Sequence, residues 1–301
     1  MPIPEYTPPD LEDTVPISDP KQLLEMRKLQ NEHMTEEERN LKSFSRKNVM
    51  GLSNWKDWRD ADDKQLDSHF DAGTIGMAVP RPSSLQAKSQ VFHVVWARLV
   101  KATGIRKSRA CLDGSRRAAP WLRMLVQTHA SCIELPCLRL FLAMCAQRGY
   151  CVVFGDVENA YQQSPPPSVD CFLEVDDTIK DWYLRRFGIK LDRLKEVIPL
   201  YKALQGHPEA GALWERMITD IIINKMGFKN TTHEQNLHLG LIDGHEVPVC
   251  RQVDDFAVGS AQREAAEAFL QEVQQHVKAE FEAWSMMKQF TNNRNRLNQS
   301  K

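Results

Sequence analysis

Two adjacent aspartates, Asp254 and Asp255, interrupt an apolar run from Val247 to Gly259 that otherwise reads as two β-strands. Strand-forming residues on both sides place the pair at the tight turn of a hairpin. Two like charges among core-type residues repel each other and are hard to desolvate. A divalent cation would neutralise both at once; an ordinary aspartate turn held by local hydrogen bonds is the plainer reading. A second acidic signal, Asp156, follows the apolar stretch 151–154. One carboxylate at a strand end and two at a turn make three acids able to converge on metal. Two divalent ions held by such acids clamp the attacking and leaving oxygens of a phosphoryl transfer. The expected ion is Mg²⁺, a hard cation that shares oxygen ligands with substrate phosphates, with Mn²⁺ as the alternative. Spacing alone does not bring Asp156 to Asp254, which lies 98 residues later.

Positive charge is concentrated elsewhere. Arg98, Lys101, Arg106, Lys107, Arg109, Arg116, Arg117 and Arg123 are set against the single acid Asp113, a balance of +7 over 26 residues in a chain of net charge -1. Such a block suits phosphate contact, because Lys and Arg neutralise phosphates and release counterions; a solvated surface is the alternative. His233 and His238, five apart among polar residues, read as surface histidines rather than a metal pair. The seven cysteines include no CxxC pair and sit mostly among apolar residues, so they read as reduced core thiols of an intracellular protein, without a structural zinc site.

The elements that must position these groups follow from pattern. At 301 residues, 42% apolar and 26% charged, the chain has the means for a real core. No apolar run approaches the roughly 18 residues of a membrane span, and no secretory signal opens the chain. Residues 1–50 are expected to be a disordered or linking segment, with six prolines in the first twenty positions, 51–290 the folded domain, and 291–301 a loose polar tail; within the first segment, 21–47 read as either a solvated helix, from the weak periodicity of Leu23, Leu24, Met26 and Leu29, or a linker. Within the domain, helices are expected near 54–70, from Pro136 to Gly149, over 209–226 up to Gly227, and over 262–284. In the last of these, Ala266, Phe269, Val273, Val277 and Phe281 face inward, while Trp214 falls on the apolar side of the helix before it and reads as core rather than a base-stacking platform. Val91–Trp96 and Ser108–Leu112 read as strands joined through Gly104, and 151–154 as a short buried strand. Helices mixed with antiparallel strands predict an α+β architecture.

Several stretches carry a resemblance. Asp156-Val157-Glu158-Asn159-Ala160-Tyr161 resembles the first catalytic motif of copia-type retrotransposon reverse transcriptases, Asp-Val-Lys-Asn-Ala-Phe. Leu200-Tyr201-Lys202-Ala203-Leu204-Gln205-Gly206, leading to Ala212-Leu213-Trp214-Glu215-Arg216, is similar to their second motif, and Val253-Asp254-Asp255 to the end of their Tyr-Val-Asp-Asp box. Lys107-Ser108-Arg109 resembles the Lys-Ala-Arg of their basic fingers hairpin, and Phe141 to Gly149 the helix before the first motif. The five matches occur in family order over roughly residues 54–284.

The resemblance implies a right-hand polymerase with fingers and an antiparallel palm sheet flanked by helices. The activity it implies is RNA-directed DNA polymerisation, adding deoxynucleotides from their triphosphates to a primer 3′ end on an RNA or DNA template. Asp156, Asp254 and Asp255 would bind two Mg²⁺, with the Val157 carbonyl as an added oxygen. Tyr161 would lie beneath the incoming sugar as a steric gate; Lys107 and Arg109 would grip the triphosphate. Gln205 and Gly206 would lie against nucleotide and template. From the residues themselves, Tyr161 also reads as a packing residue, Lys107 and Arg109 as solvated strand residues, and Gly206 as a helix start. Two positions depart from the pattern: Gln252 replaces the family's Tyr, and Glu234-Gln235 replaces Asp-Pro. The chain also ends soon after the last helix, so the thumb is expected to be mostly missing and the RNase H domain absent. It then reads as a fragment of an element's polyprotein, with those regions as partners, located in the cytoplasm, in virus-like particles or in the nucleus. A catalytically inactive nucleic-acid-binding remnant is the alternative.

Overall fold

The computed structural model describes residues 20–83, 90–101 and 103–280. The chain divides into two units, one of residues 1–67 with 95–110, the other of residues 68–94 with 111–301. Among the described residues, the larger unit is built on a six-stranded antiparallel sheet. Its order is Ala279–Glu280, Cys151–Val157, Asp255–Ser260, His245–Gln252, Leu237–Ile242 and Lys229–Asn230.

Both faces of this sheet are covered, which is why Val247–Cys250 and Phe256–Gly259 read as apolar runs instead of alternating. One face sets Val153, Val157, Val247, Val249, Phe256 and Val258 against Trp214, Ile218, Ala266, Phe269 and Val273, from the helices Ala210–Asp220 and Arg263–Gln274. The opposite face sets Phe154, Cys250 and Ala257 against Phe141 and Cys145 of the helix Leu135–Gln147. Each large apolar side chain so buried contributes roughly 1.5–3 kcal/mol.

Most expected elements are present, with three differences. The helix Ala210–Asp220 continues as a π-helical turn, Ile221–Lys225, before Gly227. The last helix stops at Gln274, short of 284, because the chain turns back and Ala279–Glu280 pairs with Val157 and Asp156 at the sheet edge. Gln163 secures that return by accepting from the Lys278 amide (2.6 Å) and donating to the Lys278 carbonyl (2.7 Å). Phe281, Trp284 and the tail 291–301 lie outside the described residues, as do residues 1–19. The expected strand Val91–Trp96 splits at His93: Val91–Phe92 runs parallel to Phe172–Leu173, while Val94–Val100 forms a hairpin with Arg106–Leu112.

A second sheet, Val79–Pro80, Glu196–Leu200, Cys171–Glu174 and Val91–Phe92, was legible in the sequence only at Val91–Phe92, its strands being two to five residues long. Beside it the helix Asp177–Phe187 starts on an Asp176 cap, whose carboxylate accepts from the Ile179 amide at 2.8 Å.

In residues 20–50 the smaller unit has helices, so the solvated-helix reading holds there and the linker reading does not. These are Pro20–His33, Glu36–Arg39 and Arg46–Val49, and Val49 packs with Leu52, Trp58 and Val100 in a core of their own. Charge pairing inside the unit is what composition hides. Glu38 is fully buried, closes a capping box with Thr35, and accepts from Trp58 Nε1 (2.9 Å), Asn54 Nδ2 (2.9 Å) and Arg106 NH2 (2.9 Å).

Burial alone would raise the Glu38 carboxyl, but the donors from Arg106, Asn54 and Thr35 outweigh it and hold the group down at about 2, against 4.5 for a free glutamate. The unfolded chain therefore binds the proton first, so this stabilisation is complete above pH 4.5 and is lost as pH falls towards 2. Glu38→Gln should cost about 1–3 kcal/mol at pH 7 and flatten the pH dependence of urea unfolding between those limits. An unchanged acid slope in the variant would rule out this role.

No helix among the described residues is long and apolar enough to cross a membrane. None of the seven cysteines forms a disulfide among the described residues. Cys145, Cys171 and Cys250 are buried, and burial pushes their thiols up to about 11, 12 and 12. Cys132, by contrast, is exposed and not a core thiol.

Candidate active site

The hairpin His245–Gln252 and Asp255–Ser260 turns through two residues, Val253 and Asp254. Asp255 is paired across the strands with Asp156 on one side and Gln252 on the other. Cross-strand partners share a face, so the Asp156 and Asp255 side chains project from the same side of the sheet. This is the side that carries Phe154 and Ala257, at the end of the strands beyond the apolar cluster. Asp254 joins them through the backbone, its carbonyl accepting from the Val157 amide at 3.0 Å. Three acids from two distant segments thus meet at one sheet end.

The turn itself is strained. Val253 has φ +57°, a left-handed conformation that a β-branched residue adopts only under constraint, at a cost of order 1–3 kcal/mol. Its carbonyl is held by two side chains, Trp214 Nε1 at 2.7 Å and Arg251 NH1 at 3.4 Å.

The electrostatics agree with the register. Asp255 is raised above the ordinary aspartate value, first by burial and then by repulsion from Asp254 and Asp156. Hard oxygen donors crowded enough to resist ionisation are a donor set that suits a divalent cation. Among the described residues, no three acid, cysteine or histidine side chains are already gathered round a single point. The acids are therefore aligned in register but not closed into a cage.

Tyr161 lies beside them. It sits on the short helix Ala160–Gln163, entered through Asn159 at φ +50°, and its ring packs against Ala203, Ala210 and Leu213. Its hydroxyl is raised by burial first, then by the charge of Asp254. Packing and proximity to the acids both apply to this residue.

Gln205 and Gly206 serve a backbone contact within the same unit. The Gln205 carbonyl accepts from the Leu112 amide at 2.7 Å. Gly206 has φ +87°, and a Cβ there would lie 2.1 Å from the Leu112 carbonyl oxygen, so only glycine fits. The following helix begins at Ala210, so Gly206 is not its start.

In the smaller unit, Lys107 and Arg109 alternate with buried Ser108 and Ala110 along the strand Arg106–Leu112, leaving Arg109 exposed and Lys107 half-buried. The basic block is smaller than its composition indicates. Arg98 is buried with Asp62, and Arg106 is committed to Glu38, so neither is a solvated phosphate contact.

Residues 88–293, about two thirds of the chain, match the family described as reverse transcriptase (RNA-dependent DNA polymerase). The chain belongs to the reverse transcriptase family. No curated protein matches it. Similar solved structures include apo telomerase from Candida tropicalis truncated from its C-terminal domain, at 8% identity and TM-score 0.41, covering 75% of this chain and 54% of that one. Another is telomerase from Candida albicans in complex with a fragment of telomeric RNA, at 10% identity and TM-score 0.37, covering 74% and 46%. The chain spans about half the length of these structures. The six-stranded antiparallel sheet with its covering helices gives this family member the mixed α+β architecture that was expected.

Several residues around these acids escaped sequence reasoning. Arg251 is buried beneath the turn, with NH2 donating to Asn236 Oδ1 and lying 4.0 Å from Glu215. A cation inside the run Val247–Gly259 was the available signal. His238 is fully buried, not on the surface, and burial pushes its imidazole down to about 4; His233 is exposed as expected. The two departures from the family pattern acquire a structural role. Gln252 Oε1 accepts from the Ile133 amide at 3.0 Å, and Glu234 accepts from the amides of Asn236 (2.9 Å) and Glu134 (3.2 Å). A cleft of about 680 Å³ beside Gln127, His129, Glu215 and Asp220 contains none of the three aspartates.

Proposed function

We propose that this reverse transcriptase is an RNA-directed DNA polymerase of the copia-type retrotransposon class, extending a primer 3′ end with deoxynucleotides on an RNA or DNA template. The observation that carries the reading is the register of Asp156 opposite Asp255, beside a turn that presents Asp254. Copia-type membership is supported by the ordered motifs around Asp156, Gln205 and Asp254.

Asp156, Asp254 and Asp255 would hold Mg²⁺ (Mn²⁺ is the alternative), with the Val157 carbonyl as a further oxygen. When bound, such ions lower the pKa of the attacking 3′-hydroxyl and neutralise the departing pyrophosphate. The chain's own residues do the rest. Tyr161, whose ring packs on Ala203, Ala210 and Leu213, would lie beneath the incoming sugar and exclude a 2′-hydroxyl, a role drawn from the family pattern. Gln205 and Gly206 offer a backbone surface to nucleotide and template. Lys107 and Arg109 supply cations suited to a triphosphate, an assignment resting on the family pattern and on the exposed face of their strand.

Extension of an oligo(dT) primer on a poly(rA) template with dTTP and Mg²⁺ tests the proposal; the expected result is Mg²⁺-dependent product. A second reading, nucleic-acid binding without turnover, draws on Arg109, Arg116 and Arg117 of the basic block, which are exposed. Salt-dependent binding of primer-template with no extension under either ion would favour it.

A further inference from the structure

We infer that Trp214 and Arg251 are positioning residues for the acidic turn, acting through the Val253 carbonyl; this rests on the proposed metal-binding role of Asp156, Asp254 and Asp255. Two donors from different elements converge on one acceptor. Trp214 Nε1, on the helix Ala210–Asp220, donates at 2.7 Å, and Arg251 NH1, on the strand before the turn, at 3.4 Å. The Val253 carbonyl belongs to the peptide that carries the Asp254 nitrogen. Fixing that carbonyl fixes the peptide plane, and with it the origin of the Asp254 side chain.

The tie matters because the turn is unfavourable without it. Val253 sits at φ +57°, where asparagine or glycine is the usual turn residue. Released, a valine relaxes to negative φ, which draws the Asp254 carbonyl away from the Val157 amide, 3.0 Å distant, and the Asp254 carboxylate away from Asp255 and Asp156. Both donors are themselves constrained. Trp214 is 1% exposed, packed among Ile218, Phe256 and Val258. Arg251 is equally buried and bound to Asn236, whose Nδ2 donates to Ser131 Oγ at 3.0 Å. Ser131 in turn donates its amide to Glu215 at 3.0 Å, on the residue after Trp214. The network therefore closes on itself beneath the turn, and a merely space-filling role for Trp214 would leave its N–H direction unexplained.

The decisive variants are Trp214→Phe, which removes the N–H and keeps an aromatic ring, and Val253→Gly, which accepts a left-handed φ unaided. Three readouts on the whole chain are compared: urea unfolding, Mn²⁺ binding by electron paramagnetic resonance, and hydrogen exchange of the Val157 amide. Trp214→Phe should weaken Mn²⁺ binding and reduce Val157 protection, each by about tenfold. Adding Val253→Gly should restore both, whatever the double variant's unfolding midpoint. If Trp214→Phe leaves binding and exchange unchanged, or Val253→Gly restores neither, the positioning role is wrong. If the unmodified chain binds no Mn²⁺, the metal reading fails by itself, while the exchange arm still reports whether the tie holds the turn.

Discussion

Asp156→Asn, Asp254→Asn and Asp255→Asn should each reduce primer extension by at least about 10³-fold, since a metal-held charge stabilises the transition state by several kcal/mol and each 1.36 kcal/mol is tenfold. Asparagine keeps the shape and removes the anion, so the loss reports on charge rather than packing. Asp255→Asn carries a second, opposite expectation. Its folded carboxyl is raised above 3.8 by burial and by Asp254 and Asp156, so the native state binds the proton more readily than the unfolded chain. Stability therefore falls as pH rises from 3.8 through the raised value, and at neutral pH the charged group opposes folding. Asp255→Asn should unfold at a urea concentration equal to or higher than the unmodified chain at pH 7. Lost activity with retained or increased stability identifies the aspartates as functional; activity that survives, or stability that drops sharply, identifies them as a turn device.

The second large effect lies in the smaller unit. Arg98 meets Asp62 through two parallel hydrogen bonds, Nε to Oδ1 at 2.9 Å and NH2 to Oδ2 at 2.8 Å, with side chains only 1% and 2% exposed. Removing one partner leaves an uncompensated buried charge, so Arg98→Met or Asp62→Leu alone should cost about 3–5 kcal/mol of unfolding free energy. The double variant should recover most of that loss, because two apolar side chains need no ion partner. Recovery should be incomplete: Ser108 Oγ also donates to Asp62, and its hydroxyl would lose its acceptor, at about 1–3 kcal/mol. Urea unfolding of the four members of the cycle measures the coupling. Coupling below about 0.5 kcal/mol would mean that the pair behaves as a solvent-exposed one.

Much of the site is legible in the sequence because its signals are local. An aspartate pair between strand formers specifies a hairpin turn from sequence alone. The periodicity of Leu213, Trp214, Met217 and Ile218 specifies a helix and its buried side. The ordered motifs carried the reverse transcriptase family, and the alternation of helix and strand patterns carried the α+β class. These features depend on neighbours within a few residues, where backbone preference and hydrophobic period act directly.

What only the tertiary structure decided depends on partners far away in the chain. The register that sets Asp156 opposite Asp255 is a pairing of strands about a hundred residues apart, and a slip of one residue would turn Asp156 to the opposite face. Glu38 and Arg106, or Asp62 and Arg98, read singly as solvated charges; each becomes a core residue because the fold delivers an opposite charge from 68 or 36 positions away. His238 and Arg251 are buried for the same long-range reason, and the last helix ends at Gln274 because a sheet edge is there to be paired. The acidic pair is visible in the sequence by itself. Its third partner and the two donors that hold its turn depended on how distant strands and helices close around it.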